Sequence, residues 1–165
     1  DPKRRFGPMI SEAQMQRVLG YIERGKQEGA RLLVGGARLP FGGAERGYWV
    51  APTIFDRVSP DAAIAQEEIF GPVLAVLPFS DEEQAIELAN RTLYGLAAAV
   101  WTRDVKKAHR IARHIQAGTV WINMYHPLDA ASPFGGTKQS GYGRELGAYA
   151  LDLYTQIKSV WVDLN

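Results

Sequence analysis

Among the 165 residues there is no cysteine. Disulfides, thiolate-ligated zinc, iron–sulfur clusters and a thiol nucleophile within these residues are thereby excluded. Charge of either sign is not in excess: 19 Lys and Arg face 18 Asp and Glu, a net +1, so no global field favours nucleic acid or an anionic membrane. No apolar run approaches the roughly 20 residues of a membrane span, and no signal peptide is expected. Even charge without an export signal predicts a cytoplasmic protein. An initiator Met is also missing, since the chain opens on Asp1-Pro2, which suggests a piece of something longer. What remains is 46% apolar residues over a length typical of one domain, so a single domain over 1–165 is expected, with a core built without staples.

The first ten residues read as a basic, proline-containing lead-in. Ser11 then offers an N-cap, Gln14 completes a capping box and Ile10 is placed to staple onto Met15. Met15, Val18, Leu19 and Ile22 form a helical stripe, which Gly29 stops. A strand is predicted at Arg31–Val34, then a glycine-rich loop (Gly35, Gly36, Gly42, Gly43, Gly47) and a strand over about 48–58, with Pro52 marking an edge or bend. Val73–Phe79 reads as a buried strand. Ser80 with Glu83 predicts a second capping box and a helix to about Arg91. Leu96–Thr102 is an apolar run, followed by a helix from Val105 to about Gln116 that buries Val105, Ala108, Ala112 and Ile115. Thr119–Asn123 is a further strand. This βαβαβ alternation predicts an α/β fold, a partial doubly wound parallel sheet with right-handed crossovers. Tyr125–Glu145 is long and rich in Gly and Pro, the profile of an ordered functional loop. A helix near 146–154 and a strand at Ile157–Leu164 finish the chain.

Parallel sheets take ligands beyond the carboxyl ends of their strands, which draws attention to Asn123-Met124-Tyr125-His126. Several chemistries fail on inspection. Gly141, Gly143 and Gly147 miss the dinucleotide spacing by one residue and follow a loop, so they read as turn glycines. There is no phosphate-binding G-x-x-x-x-G-K-[ST] and no G-x-S-x-G elbow, which leaves Ser140 a turn residue. His109 and His114, five apart on a helix, face different ways and suggest no metal site. His126, at a strand end in the long loop, is a candidate ligand contact. Glu67 and Glu68 are adjacent in an extended segment, so their side chains point oppositely and cannot act as an acid–base pair. On composition alone both are surface charges.

Taken in order, a series of segments carries more than any one of them: Pro52-Thr53-Ile54-Phe55, Glu67-Glu68-Ile69-Phe70-Gly71-Pro72-Val73, Ala89-Asn90, Tyr94-Gly95-Leu96-Ala97-Ala98, Gly118-Thr119-Val120-Trp121-Ile122-Asn123 and Pro133-Phe134-Gly135-Gly136, then Lys138, Ser140-Gly141, Gly143-Arg144-Glu145 and Gly147. From about Gly7 to Val162 the chain resembles the C-terminal part of the catalytic domain of the NAD(P)-dependent aldehyde dehydrogenase superfamily. The resemblance implies oxidation of an aldehyde to a carboxylic acid. A thiolate adds to the carbonyl, hydride passes to NAD or NADP, and a Glu-activated water hydrolyses the thioester. The family's Cys and Glu for these steps precede the matched region, so no catalytic residue is expected here, and the 165 residues alone are expected to be inactive.

Roles carried over by position are cofactor-binding for Glu68, on the nicotinamide ribose hydroxyls, and for Phe70, which packs beside them. For Glu68 this reverses the reading from composition; Glu67 keeps it. Met124, His126, Leu128 and Phe134 become the substrate-tunnel positions, with the 134–147 stretch as their support. Residues 157–165 resemble a strand that pairs with a neighbouring subunit, implying a homo-oligomer. The implied partners are a small-molecule aldehyde and other copies of the protein, with no nucleic acid and no membrane. The competing reading is a non-catalytic binding or assembly module on the same fold.

Overall fold

The computed structural model describes residues 6–39 and 47–165. The start of the basic lead-in, residues 1–5, and Gly42 and Gly43 of the glycine-rich loop lie outside the described residues. The chain divides into two compact units, residues 1–92 and 93–165, and each is taken by itself.

In the first unit, α1 (Glu12–Gln27) starts where Ser11 accepts a hydrogen bond from the Gln14 amide at 3.2 Å. Only half of the predicted capping box forms, because the Gln14 side chain does not turn back to Ser11. The hydrophobic staple is absent too: Ile10 stands 91% exposed, and Met9 packs against the core instead. Met15, Val18 and Ile22 are fully buried as the stripe requires. Gly29, at φ 85°, ends the helix in the left-handed conformation that glycine adopts freely.

Strands β1 (Arg31–Val34) and β2 (Thr53–Asp56) pair antiparallel with Leu32 opposite Phe55. Between β2 and β3 (Val73–Ala75) lies the short helix α2 (Ala63–Gln66), and β2 pairs with β3 in parallel, Phe55 opposite Ala75. The strand expected over 48–58 is therefore confined to 53–56. It is the central strand, and Pro52 stands just before it, because a proline inside a central strand would break the ladder. Phe55, Val50, Val58, Ile64 and Ile69 close the core against α1. The buried Thr53 hydroxyl is satisfied by donating to the Ala51 carbonyl and accepting from the Gly36 amide. Helix α3 (Glu82–Asn90) is capped one residue later than predicted. Asp81, not Ser80, accepts from the Gln84 amide at 2.9 Å, while the Gln84 side chain accepts from the Ser80 amide.

In the second unit, β4 (Tyr94–Gly95) precedes β5 (Ala97–Val100), helix α4 (Val105–His114) and β6 (Thr119–Ile122). β5 and β6 pair in parallel from Ala97 opposite Thr119 to Val100 opposite Ile122. This is the predicted crossover, and the α/β class is the one observed. Within the first unit the strand order is β1-β2-β3, and within the second β5 and β6 form a two-stranded sheet. On α4, Ala108 is buried as expected, but Val105 is 66% exposed. It opens the first turn at the rim, where it lines a shallow surface depression with Trp101 and Ile122.

The long loop is ordered by β7 (Thr137–Lys138), which pairs antiparallel with β4, and by a two-way bridge between Phe134 and Glu145, both bonds 2.7 Å. Gly118 has no room for a side chain here, because a Cβ would fall on the Gly135 carbonyl oxygen. Residues 148–153 form a 3₁₀ helix inside the region predicted as helical. Residues 157–164 join no strand ladder among the described residues, and Ile157 and Trp161 are almost fully exposed. No helix among the described residues is long and apolar enough to cross a membrane.

Candidate functional site

In the first unit, the segment 67–71 lies along α1, and the helix sorts its residues by direction. Glu67 is turned to α1: Tyr21 donates to its carboxylate at 2.7 Å and Arg24 pairs with it at 3.2 Å. The bond to Glu67 holds the Tyr21 phenol above its ordinary pKa, since deprotonation would forfeit the donor and set two anions side by side. Ile69 enters the core at 8% exposure. Glu68 is exposed, and its carboxylate has no hydrogen bond or ion pair among the described residues; only its backbone carbonyl is touched, by Arg17 at 3.4 Å.

Phe70 follows at φ 53°, a left-handed conformation uncommon for a bulky residue, with its ring 71% exposed. Gln14 donates from one amide nitrogen to the carbonyls of both Ile69 and Phe70, each at 3.0 Å. Gly71 closes the turn against Val18, where an added Cβ would meet a methyl at 2.5 Å. The two glutamates thus differ in engagement: the Glu67 carboxylate is bound to α1, and that of Glu68 is not. A carboxylate with both oxygens uncommitted, beside an exposed aromatic face, suits a pair of neighbouring hydroxyls such as those of a ribose.

In the second unit, β6 ends at Ile122, and Asn123 continues its pairing with a side chain. Its amide accepts from the Thr102 N–H and donates to the Thr102 carbonyl, both at 2.9 Å, while its own N–H reaches the Val100 carbonyl at 2.8 Å. At φ 54°, Asn123 turns the chain sharply into the loop. Trp121, nearly buried, donates from Nε1 to the Pro127 carbonyl at 3.0 Å and ties the loop back to the strand.

Met124, Leu128 and Phe134 line one cavity of about 360 Å³, together with Thr119, Trp121 and Pro133. His126 does not line it; its ring stacks beside Tyr125, which meets Trp121 edge-on at 5.2 Å. Two features of this region had no sequence signal. The Thr119 hydroxyl, on the cavity wall, is buried without a partner among the described residues. The Asn123 clamp is a long-range contact that the motif alone does not display. No cluster of metal-ligating side chains occurs among the described residues.

Residues 1–160 match the model of the aldehyde dehydrogenase family. The chain belongs to that family. It is 51% identical over 165 residues to the betaine aldehyde dehydrogenase of Brucella anthropi, covering all of this chain and 34% of that protein. It is 51% identical over 162 residues to human mitochondrial aldehyde dehydrogenase, covering 98% of this chain and 31% of that protein. Among solved structures, an aldehyde dehydrogenase from Bacillus cereus in complex with NAD+ superposes with a TM-score of 0.93 at 54% identity, covering the whole chain and 33% of its own. The chain thus spans about a third of the length of the aldehyde dehydrogenases it matches.

Proposed function

We propose that the protein to which this chain belongs oxidises an aldehyde to a carboxylic acid with NAD+ or NADP+, and that these residues hold the cofactor ribose and form one wall of the aldehyde site. The uncommitted Glu68 carboxylate carries this reading. Its neighbour Glu67 is occupied by Tyr21 and Arg24, whereas Glu68 keeps two acceptor oxygens for adjacent ribose hydroxyls. The bound nicotinamide would supply the hydride acceptor. Glu68 orients the ribose and the Phe70 ring covers its apolar edge, which restricts the cofactor to few poses and lowers the entropic part of the barrier.

Met124, Leu128 and Phe134 offer the aldehyde an apolar wall that excludes water, and His126 belongs to the same loop. Residues 157–165, where Ile157, Val160, Trp161, Val162 and Leu164 are exposed, would pair with a second copy of the protein. The experiment is Glu68→Gln in the full-length enzyme. Losing the charge while keeping the shape weakens NAD+ binding by about tenfold and lowers kcat. Unchanged cofactor affinity and turnover would refute the assignment.

A further inference from the structure

The sequence holds three methionines, and the fold gives them unequal access to solvent. Met15 is 1% exposed in the core and Met9 is partly buried against it, whereas Met124 is 50% exposed. With no cysteine in the chain, Met124 carries the most accessible sulfur among the described residues. It also lines the cavity that it shares with Trp121, Leu128 and Phe134. The Asn123 clamp on the Thr102 backbone fixes the chain immediately before it, so the thioether is held on that wall by a tied neighbour. The wall offers a new oxygen little to bond. Trp121 Nε1 already donates to the Pro127 carbonyl at 3.0 Å, and the Asp129 carboxylate, on the same cavity, is itself an acceptor.

We propose that Met124 is an oxidation site through which hydrogen peroxide lowers the affinity for apolar aldehydes. A sulfur lone pair attacks one peroxide oxygen, and the O–O bond breaks as an S–O bond forms. The departing hydroxide takes the remaining peroxide proton and leaves as water. Sulfur is oxidised by two electrons and the peroxide is reduced by two. The sulfoxide sets a hydrogen-bond-accepting oxygen on a wall built from Trp121, Leu128, Pro133 and Phe134. An apolar aldehyde docking there strips water from that oxygen and returns no donor, so its affinity falls. A hydroxylated aldehyde brings a donor of its own and is spared. The change is reversible, because sulfoxide reductases return the thioether. The inference rests on the reading of this loop as the aldehyde wall and goes beyond it.

The test uses the full-length protein, treated with hydrogen peroxide and then with dithiothreitol, which restores reversibly oxidised thiols and leaves methionine sulfoxide in place. Wild type, Met124→Leu and, as a control away from the cavity, Met9→Leu are each compared with themselves before and after treatment. Peptide mass spectrometry reports which methionines gain oxygen, and KM is measured for hexanal, for glycolaldehyde and for the cofactor. Met124 is expected to gain one oxygen well before Met9 and Met15. KM for hexanal then rises about tenfold in wild type and in Met9→Leu, while the other two KM values stay within about twofold. Treatment leaves the hexanal KM of Met124→Leu where it was, and the two methionine sulfoxide reductases restore that of wild type. Should Met124→Leu not fold, this reversal makes the same test in wild type. An unoxidised Met124 in the native protein overturns the inference, as does an equal hexanal shift in Met124→Leu. If Met124 is oxidised and the hexanal KM does not move, Met124→Gln decides what has failed, since it places an amide oxygen there without peroxide. Weaker hexanal binding in Met124→Gln then leaves the wall standing and the inference wrong, whereas unchanged binding refutes the wall and the inference with it.

Discussion

Replacing Asn123 separates two contributions that meet at one residue. Its amide makes two hydrogen bonds to the Thr102 backbone, each 2.9 Å, and its backbone sits at φ 54°. A neutral hydrogen bond contributes about 0.5–1.5 kcal/mol net. Asn123 is exposed and water can reach the vacated groups, so the low half of that range applies, about 1–2 kcal/mol for the pair. Holding an alanine in the left-handed region costs about 1 kcal/mol more, a cost that glycine escapes and asparagine reduces. Asn123→Ala is therefore expected to destabilise by about 2–3 kcal/mol and Asn123→Gly by about 1–2 kcal/mol. Asn123→Asp keeps the acceptor for the Thr102 N–H but sets an oxygen against the Thr102 carbonyl, and falls close to glycine.

The assay is the denaturation midpoint of the full-length protein for the three variants, with hydrogen exchange at the Thr102 amide as the local probe. Because Asn123 launches the loop that carries Met124 and Leu128, KM for the aldehyde should rise in the same order, with KM for the cofactor unmoved. Glycine proving worse than alanine would refute the role given to the left-handed backbone. Unprotected Thr102 exchange in the wild type would refute the clamp.

Trp121→Phe deletes the Nε1 donor to the Pro127 carbonyl at 3.0 Å and frees the loop at its middle. Aldehyde affinity should fall several-fold with little change in cofactor affinity, measured as separate KM values, and equal effects on both would contradict the separation. Acid should destabilise the first unit through two carboxylates held below the ordinary Asp value of 3.8: Asp56 by the Arg57 amide and the Arg31 guanidinium, and Asp81 by the Gln84 amide and the Ser80 hydroxyl. Above 3.8 both are ionised, folded or unfolded, and their contribution is complete. Below it the unfolded chain binds protons first, so stability declines until the folded carboxyls also protonate. Asp81→Asn keeps a capping oxygen without a titrating group and should flatten part of that decline, as read from denaturation midpoints between pH 5 and pH 2.

The sequence carried what depends on near neighbours and on repeat period. The buried stripe Met15, Val18 and Ile22, the stop at Gly29 and the parallel β5–α4–β6 unit follow from helix pitch, glycine's conformational freedom and strand pleat. All are local geometries. The family motifs added the positions to watch, and three of the four positions expected to face an aldehyde, Met124, Leu128 and Phe134, share one cavity. Errors arose where two local solutions were nearly equal. Ser80 and Asp81 can each cap α3, and Met9 and Ile10 can each turn inward, so packing decides.

Tertiary structure alone decided the contacts that span tens of residues. The absence of cysteine and of excess charge excluded whole classes of chemistry, but it did not show that Gln14 would leave its own cap for the Phe70 turn, or that the Asn123 side chain would clamp the Thr102 backbone. Such contacts are set by which surfaces the folded core brings together, and a donor placed equally well for two acceptors is committed only when the second one arrives through the fold.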